Sequence, residues 1–148
     1  MKHRKDDPLI AAAIAAREKA FAPYSKFQVG AALETEDGTI IPGCNVESAS
    51  YGLTMCAERV AIFRGVTDGF RCFKRIVIVT DTDSPTPPCG ACRQLLWEFA
   101  PGAQVILVSL NGTMQKWHVR ELLPLAFDAH QLGGPPESLP PPAADLAD

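Results

Sequence analysis

Residues 54–63 read TMCAERVAIF and combine reactive and apolar side chains in one predicted helix. A thiol (Cys56), a carboxylate (Glu58) and a guanidinium (Arg59) lie close together at its start, and the apolar residues that follow are typical of a buried helix. Burying a carboxylate is costly unless another group pairs with it. The start of this helix therefore either faces water or carries residues with a chemical role.

A second pair of thiols lies at the start of another predicted helix, in residues 87–93, PPCGACR. The spacing of Cys89 and Cys92 places both sulfurs on one side of the first helical turn. Such a pair serves either as a dithiol redox couple or as two zinc ligands. A thioredoxin-like interpretation stays open from this motif alone, although the motif follows a proline-rich loop and leaves Cys56 and Glu58 unexplained.

The thiols of the two helices together satisfy the needs of a catalytic zinc site, which uses three protein ligands and leaves one position for water. Cys56, Cys89 and Cys92 provide the three ligands, and both helix starts carry partial positive charge that favours thiolates. Three thiolates outweigh the charge of Zn²⁺, so the site needs a neighbouring cation. Arg59 is the candidate cation, and an Arg59 on the solvent face of the helix is the alternative.

Glu58 lies two residues after Cys56, a spacing that puts side chains on nearly opposite sides of a regular helix. Glu58 can face water at the metal only if the backbone at Cys56 is not yet helical. The spacing permits this arrangement without requiring it. A glutamate in a first turn can also simply complement the helix dipole.

The alternation of apolar and polar residues predicts the element order α-β-β-α-β-α-β-β. Two helical crossovers between buried strands favour an α/β domain with a mixed sheet and helices on its faces. The predicted segments are a helix over 8–21, a strand from 27 to 33, a strand from 39 with a bulge or break at 42–43, a helix from 56 to 65, a strand over 75–80, a helix over 89–99, strands over 105–110 and 114–119, and a closing segment over 122–127.

Composition limits the possible functions. The chain has 148 residues, 47% of them hydrophobic and 21% charged, and a formal net charge of −3, which is typical of one globular domain without a basic nucleic-acid surface. Its longest apolar run, 9–16, is too short to cross a membrane. Five cysteines at uneven spacing favour a reducing, cytoplasmic location. Residues 2–5 are predicted to be a solvated tail, and the proline-rich residues 133–148 a disordered one.

The combination of Cys56-Ala57-Glu58 with residues 88–92, PCGAC, resembles the zinc-dependent cytidine deaminases. A cysteine rather than a histidine before the glutamate resembles the small homotetrameric type that acts on free nucleosides. The likeness extends to residues 24–33, 43–47, 51–54 and 122–127, and it covers roughly residues 8 to 130.

This resemblance implies a three-layer α/β/α domain with a mixed five-stranded sheet in residues 1–132. It implies one Zn²⁺ per subunit and a homotetramer whose pockets lie near subunit interfaces. It also implies roles for side chains: Glu58 as the proton carrier, Asn45 and Glu47 on the ribose 3′-hydroxyl, Phe27 against the pyrimidine ring, Phe127 closing a neighbouring pocket, and Ala57 and Tyr51 in substrate binding. Core packing is the alternative for Phe27 and Phe127.

The implied reaction is hydrolytic deamination of cytidine and 2′-deoxycytidine to the uridines and ammonia. Zinc lowers the pKa of a bound water from ~15.7 toward ~7, and Glu58 takes its proton. One rival is a deaminase of blasticidin S, which shares the Cys-Ala-Glu core. Another is a structural zinc module, which needs a fourth protein ligand; no histidine has a ligand-like spacing to the thiols. Cys44 and Cys72 are predicted to be small buried residues.

Overall fold

The computed structural model describes residues 6–134, and the predictions for residues 2–5 and for the tail beyond 134 lie outside this range. Its elements follow the predicted order. They are α1 (Pro8–Arg17), β1 (Gly30–Thr35), β2 (Ile40–Cys44), α2 (Ala57–Thr67), β3 (Phe73–Thr80), α3 (Gly90–Phe99), β4 (Gln104–Ser109), β5 (Met114–His118) and α4 (Val119–Leu122), with 3-10 turns at Tyr51–Leu53 and Ala129–Leu132. No helix in the described range is long and apolar enough to cross a membrane.

The five strands form one mixed sheet in the order β2-β1-β3-β4-β5. Strands β3 and β4 are parallel and the other neighbours are antiparallel. Side chains alternate between the two faces of the strands, so Leu33 and Ile76 pack beneath α2 and α3 whereas Val77 and Ile106 pack beneath α1. The predicted three-layer α/β/α fold with a five-stranded mixed sheet is confirmed.

The topology brings the starts of α2 and α3 to one edge of the sheet. Strands β2 and β3 both run antiparallel to β1, which lies between them, so they share one direction. Both therefore end at the edge where β1 begins, because Gly30 pairs with Cys44 on one side and with Val79 on the other. Helix α2 follows β2 and helix α3 follows β3, so their starts converge at this edge.

The predicted break at Pro42-Gly43 is wrong, because β2 pairs with β1 continuously from Ile40 to Cys44. Pro42 is tolerated since β2 is an edge strand and needs no N–H donor on its outer side. Gly43 is required for another reason: a Cβ there would lie 2.6 Å from the backbone nitrogen of Ala61 and 2.7 Å from the carbonyl oxygen of Ala57. This glycine lets α2 approach β2 closely.

Two element ends and one cysteine also differ from the predictions. Helix α1 starts as predicted, with Asp7 Oδ1 accepting from the Leu9 N–H at 2.9 Å, but it ends at Arg17 rather than near Phe21. Strand β1 begins at Gly30 rather than at Phe27. Cys72 is exposed and Cys44 is half-buried, so the prediction that both are buried is wrong.

An ion-pair triad fastens α1 to the sheet. Arg75 donates from Nη1 to Asp7 Oδ2 at 2.9 Å and from Nε to Glu34 Oε2 at 2.6 Å. The Arg75 hydrogen bond and charge hold the pKa of Glu34 below its usual 4.5, despite the opposing effect of burial. The triad therefore stabilises the fold most where Glu34 is ionised.

We expect the free energy of unfolding of a Glu34→Gln variant to be about 1 kcal/mol below that of the parent at pH 7. Because the pKa of Glu34 is lower in the folded chain, its ion pair stabilises the fold fully above the pKa that Glu34 has in the unfolded chain. This stabilisation is lost as the pH falls through the pKa that Glu34 has in the folded chain. The difference between the two chains should therefore shrink as pH falls below 4.5. Urea unfolding at pH 7 and pH 3 measures it, with Glu36→Gln, an exposed neighbour, as the control. A difference that stays constant with pH would contradict the ionic origin.

Candidate active site

The three predicted metal-binding thiols lie together at the edge where α2 and α3 begin. The Cys89 sulfur is 3.8 Å from Cys56 and 3.5 Å from Cys92, and all three sulfurs lie within 4.8 Å of one another. Tetrahedral zinc with bonds of about 2.3 Å needs sulfurs about 3.8 Å apart. The thiols therefore fit one zinc ion. In residues 6–134 this metal-binding group contains no histidine and no fourth ligand, which disfavours a structural zinc module.

The backbone at the two helix starts places these thiols. Cys56 and Cys89 are the N-cap residues of α2 and α3, both extended (φ −70°, ψ 153° and φ −67°, ψ 167°), and neither side chain caps its helix. Because Cys56 is not helical, its side chain and that of Glu58 can face the same space. The backbone geometry that the Cys56–Glu58 spacing requires is therefore present.

Glu58 is the buried carboxylate of the cluster. Its side chain is on the first turn of α2, the residue is 5% exposed, and its Oε2 lies 3.7 Å from the Cys92 sulfur. Burial, which disfavours the charged form, raises the pKa of Glu58 to about 7. A carboxyl group with this pKa can both accept and return a proton near neutral pH.

Arg59 is directed at the cluster, as expected for the candidate cation, and not at the solvent face that was the alternative. The half-buried guanidinium donates from Nη2 toward the Cys56 sulfur at 3.4 Å and the Thr54 carbonyl at 3.5 Å. A hydrogen bond from the Cys92 thiol, followed by one from Arg59, lowers the pKa of Cys56 to about 5. The pKa of Cys92 is raised because it holds the shared proton against Cys56 and is buried. Arg59 thus favours the thiolate form at Cys56.

The segment that follows β2 lies beside the start of α2. Val46 and Met55 exchange backbone hydrogen bonds at 3.0 and 2.9 Å, so this segment pairs with the residue before Cys56, and Asn45 and Glu47, two residues apart, share one side of it. The Asn45 amide is buried and accepts from the Val29 N–H at 2.8 Å while donating to the Phe27 carbonyl at 2.7 Å. Each amide atom keeps one further bonding position.

Glu47 holds the loop that carries two aromatic side chains. Its Oε1 accepts from the backbone N–H groups of Tyr24 at 2.9 Å and Ser25 at 3.1 Å. These hydrogen bonds, with the Ser25 side chain first, keep the pKa of Glu47 below its usual 4.5. Glu47 is therefore an ionised hydrogen-bond acceptor at neutral pH.

The remaining predicted substrate-binding residues differ in their surroundings. Phe27 lies outside β1 and is 42% exposed, so the core-packing alternative for it is wrong. Ala57 is fully buried, whereas Tyr51 and Phe127 are 74% and 60% exposed. Tyr51 contacts the Tyr24 ring at a centroid distance of 5.7 Å. Within the described range, no hydrogen bond joins the side chain of Tyr51 or Phe127 to the thiols or to Glu58.

Arg93 is a positioning group that the sequence reasoning missed. It lies directly after Cys92, and it donates from Nε to the Pro88 carbonyl at 2.8 Å and from Nη1 to the Leu122 carbonyl at 2.9 Å. It therefore holds the residue before Cys89 and the end of α4. A second arginine beside a ligand thiol was the available signal, but its partners are backbone carbonyls that no side-chain pattern marks.

The site combines three thiols at two helix starts with a buried glutamate beside them, in a three-layer α/β/α fold. This combination is that of a zinc-dependent deaminase. The zinc-binding region of the cytidine and deoxycytidylate deaminases matches residues 3–108, and the chain belongs to this family.

Individual relatives agree with the family match over most of their length. A cytidine deaminase from Sporosarcina psychrophila is 51% identical over 127 residues, 85% of this chain and 93% of the relative. One from Halalkalibacterium halodurans is 53% identical over 125 residues, 84% and 95% of the two chains. The crystal structure of cytidine deaminase from Burkholderia pseudomallei is 50% identical, with a TM-score of 0.80 over 86% of this chain and all of that one.

Proposed function

We propose that this chain, through one catalytic domain in residues 1–132, converts cytidine and 2′-deoxycytidine to uridine and 2′-deoxyuridine with release of ammonia. One observation carries the proposal: a glutamate that is 5% exposed lies 3.7 Å from a thiol of a three-thiol zinc site. This arrangement provides two things: a metal site that keeps one position open, and a proton carrier next to it. Hydrolysis of an amidine-like C–N bond needs both.

Cys56, Cys89 and Cys92 would hold the zinc ion, which would supply the Lewis acidity that makes water nucleophilic near neutral pH. Glu58 accepts a proton from the attacking water as its oxygen bonds to C4, and it delivers that proton to the ring N3. Glu58 then carries the remaining hydroxyl proton to the amino group, so that the C4–N4 bond breaks and ammonia leaves.

Substrate recognition is assigned to the side chains around the α2 start. Asn45 and Glu47 bind the ribose 3′-hydroxyl, Phe27 packs on the pyrimidine ring, and Ala57 lines the base site. The Val46–Met55 pairing supports this assignment because it joins the segment of Asn45 and Glu47 to the residue before Cys56. Asn45 retains bonding capacity for a sugar hydroxyl after holding residues 27 and 29.

The 3′-hydroxyl assignment predicts that 3′-deoxycytidine has a kcat/KM about 10- to 100-fold below that of cytidine, because Glu47 then loses a charge-assisted hydrogen bond. A Glu47→Gln variant should reduce this ratio. Steady-state assays of parent and variant on both nucleosides measure it, with 2′-deoxycytidine as the control for loss of the other hydroxyl. Equal kcat/KM values for the two nucleosides would contradict the assignment.

The proposal includes a cytoplasmic homotetramer with one zinc per subunit and pockets near subunit interfaces. The five free cysteines support a reducing compartment. The exposure of Tyr51, Phe127 and Leu125 (74%, 60% and 103%) supports burial of these side chains by neighbouring copies, with Phe127 closing a neighbour's pocket. Light scattering after size-exclusion chromatography measures the mass of the assembly, which is then compared with the chain mass of 15.9 kDa.

The activity is tested by the loss of ultraviolet absorbance when purified protein meets cytidine, with and without a zinc chelator. We expect turnover of cytidine and 2′-deoxycytidine that chelation abolishes and added zinc restores. Deoxycytidylate and blasticidin S are the comparison substrates. Faster turnover of either would assign the site to that substrate class instead.

A further inference from the structure

The loop that joins β3 to Cys89 is held by three threonine hydroxyls. Thr80 Oγ1 lies 2.9 Å from Thr82 Oγ1 and donates to Thr86 Oγ1 at 3.1 Å, Thr82 Oγ1 and Thr86 Oγ1 lie 3.1 Å apart, and Thr82 Oγ1 donates to the Ser84 carbonyl at 2.6 Å. Together they form a hydroxyl chain from Thr80 to the Ser84 carbonyl, in which each threonine hydroxyl contacts the other two.

This hydroxyl chain is continuous with the sheet. Thr80 is the last residue of β3 and is 1% exposed, and the neighbouring strand β4 ends at Ser109, also 1% exposed. The Ser109 hydroxyl donates to the Thr82 carbonyl, and the Asn111 amide donates to the Asp83 carbonyl at 2.8 Å. The first half of the loop is thus fixed on the ends of two central strands.

The position of the Cys89 sulfur depends on this loop more than the positions of the Cys56 and Cys92 sulfurs do. Cys92 is fully buried inside α3, and the Cys56 sulfur has Arg59 at 3.4 Å. Cys89 is exposed, and the hydrogen-bond partners of its sulfur in the described range are the two other thiols. Its place is set by the start of α3, where its carbonyl accepts from the Arg93 N–H at 3.0 Å, and by the backbone that precedes it, where Arg93 holds the Pro88 carbonyl and the threonines hold residues 80–86.

We propose that Thr80, Thr82 and Thr86 are positioning residues for zinc: they hold the 81–88 loop so that Cys89 meets Cys56 and Cys92 before the metal binds. Without them, zinc binding must itself order the loop, and that conformational entropy is subtracted from the zinc affinity. The inference rests on the zinc site but not on the identity of the substrate.

The test compares zinc affinity among isosteric variants, measured on purified full-length chains by competition with a chromophoric chelator. Thr86→Val and Thr82→Val remove a hydroxyl and keep the side-chain shape, and we expect each to weaken zinc binding about tenfold. Thr86→Ser restores the hydroxyl and should bind zinc within about twofold of the parent.

Thr35→Val is the matched control. Thr35 is also a threonine that is 1% exposed at the end of a strand, and its hydroxyl also donates into the following turn, to Asp37. It pairs with Phe73 at the opposite end of the sheet from Thr80. We expect this variant to lower the unfolding temperature of the metal-free chain and to leave its zinc affinity unchanged.

Each result supports or overturns the inference. Selective weakening in the Thr82 and Thr86 valine variants, with rescue by serine, supports it. Parental zinc affinity in Thr86→Val, or equal weakening in Thr35→Val, overturns it and leaves the proposed deaminase activity intact. A parent chain that binds no zinc overturns the metal site, and this inference with it.

Discussion

A Glu58→Gln variant is expected to lose about 10⁴-fold in kcat for cytidine while it keeps its zinc and its fold. Glutamine matches glutamate in shape and can still accept a hydrogen bond, but it cannot take a proton from water or return one. Glu58 is proposed to act in more than one proton transfer of the same turnover, so its loss affects every one of them. For this reason the expected loss lies at the upper end of the range that removal of one general acid–base group produces.

The measurement pairs steady-state kinetics with the zinc content and unfolding temperature of the same sample. Glu98→Gln, a half-buried glutamate near the end of α3, is the control for the loss of one carboxylate. If Glu58→Gln kept kcat within about tenfold of the parent, another group would have to carry the proton. A variant that lost zinc as well as activity would show that Glu58 acts through the metal site instead.

The elements and their order could be predicted because their signals are local. In the sequence, apolar runs in 75–80 and 105–110 indicate β3 and β4, Asp7 before Pro8 indicates the start of α1, and the Asp37-Gly38 and Asn111-Gly112 turns indicate the two hairpins. Element ends were less predictable. Helix α1 stops at Arg17 because the chain must turn so that Phe21 pairs with Val46, a contact across the chain that no local pattern shows.

Gly43 shows why part of the fold could not be predicted. In sequence, Pro42-Gly43 is a turn signal, whereas in the structure both residues lie inside a strand. Their meaning depends on two facts of tertiary structure: β2 is an edge strand, and α2 passes within van der Waals distance of its backbone. A glycine chosen for close approach and one chosen for a turn look the same in the sequence.

The candidate site was predictable in its residue types and less so in its geometry. The thiol spacing indicated zinc, but the convergence of Cys56 with Cys89 follows from β2 and β3 ending at one sheet edge, which requires the strand order. The resemblance to known deaminases supplied that step. The threonine chain and Arg93 were missed because they bind backbone groups and one another, and such contacts leave no charge or hydrophobic pattern.

A Cys89→Ala variant should bind zinc at least about 100-fold more weakly than the parent, since structural zinc sites gain roughly 10–16 kcal/mol from their whole ligand set. Its turnover of cytidine should fall in proportion to the zinc lost and return in part at high zinc concentration. Cys89 is exposed, so removing its sulfur leaves no core cavity, and the fold should persist. Zinc content after gel filtration, unfolding temperature and cytidine turnover together measure the effect.

Cys72→Ala is the matched control, because Cys72 is also exposed and lies outside the thiol cluster. We expect this variant to retain both zinc and turnover. Full zinc occupancy in Cys89→Ala, or zinc loss in Cys72→Ala, would contradict the ligand assignment. The Glu58 and Cys89 variants also separate two roles: Glu58→Gln should hold zinc without turnover, whereas Cys89→Ala should regain turnover as zinc is restored. Added zinc should therefore rescue the second variant and leave the first inactive, because a missing proton carrier is not replaced by metal.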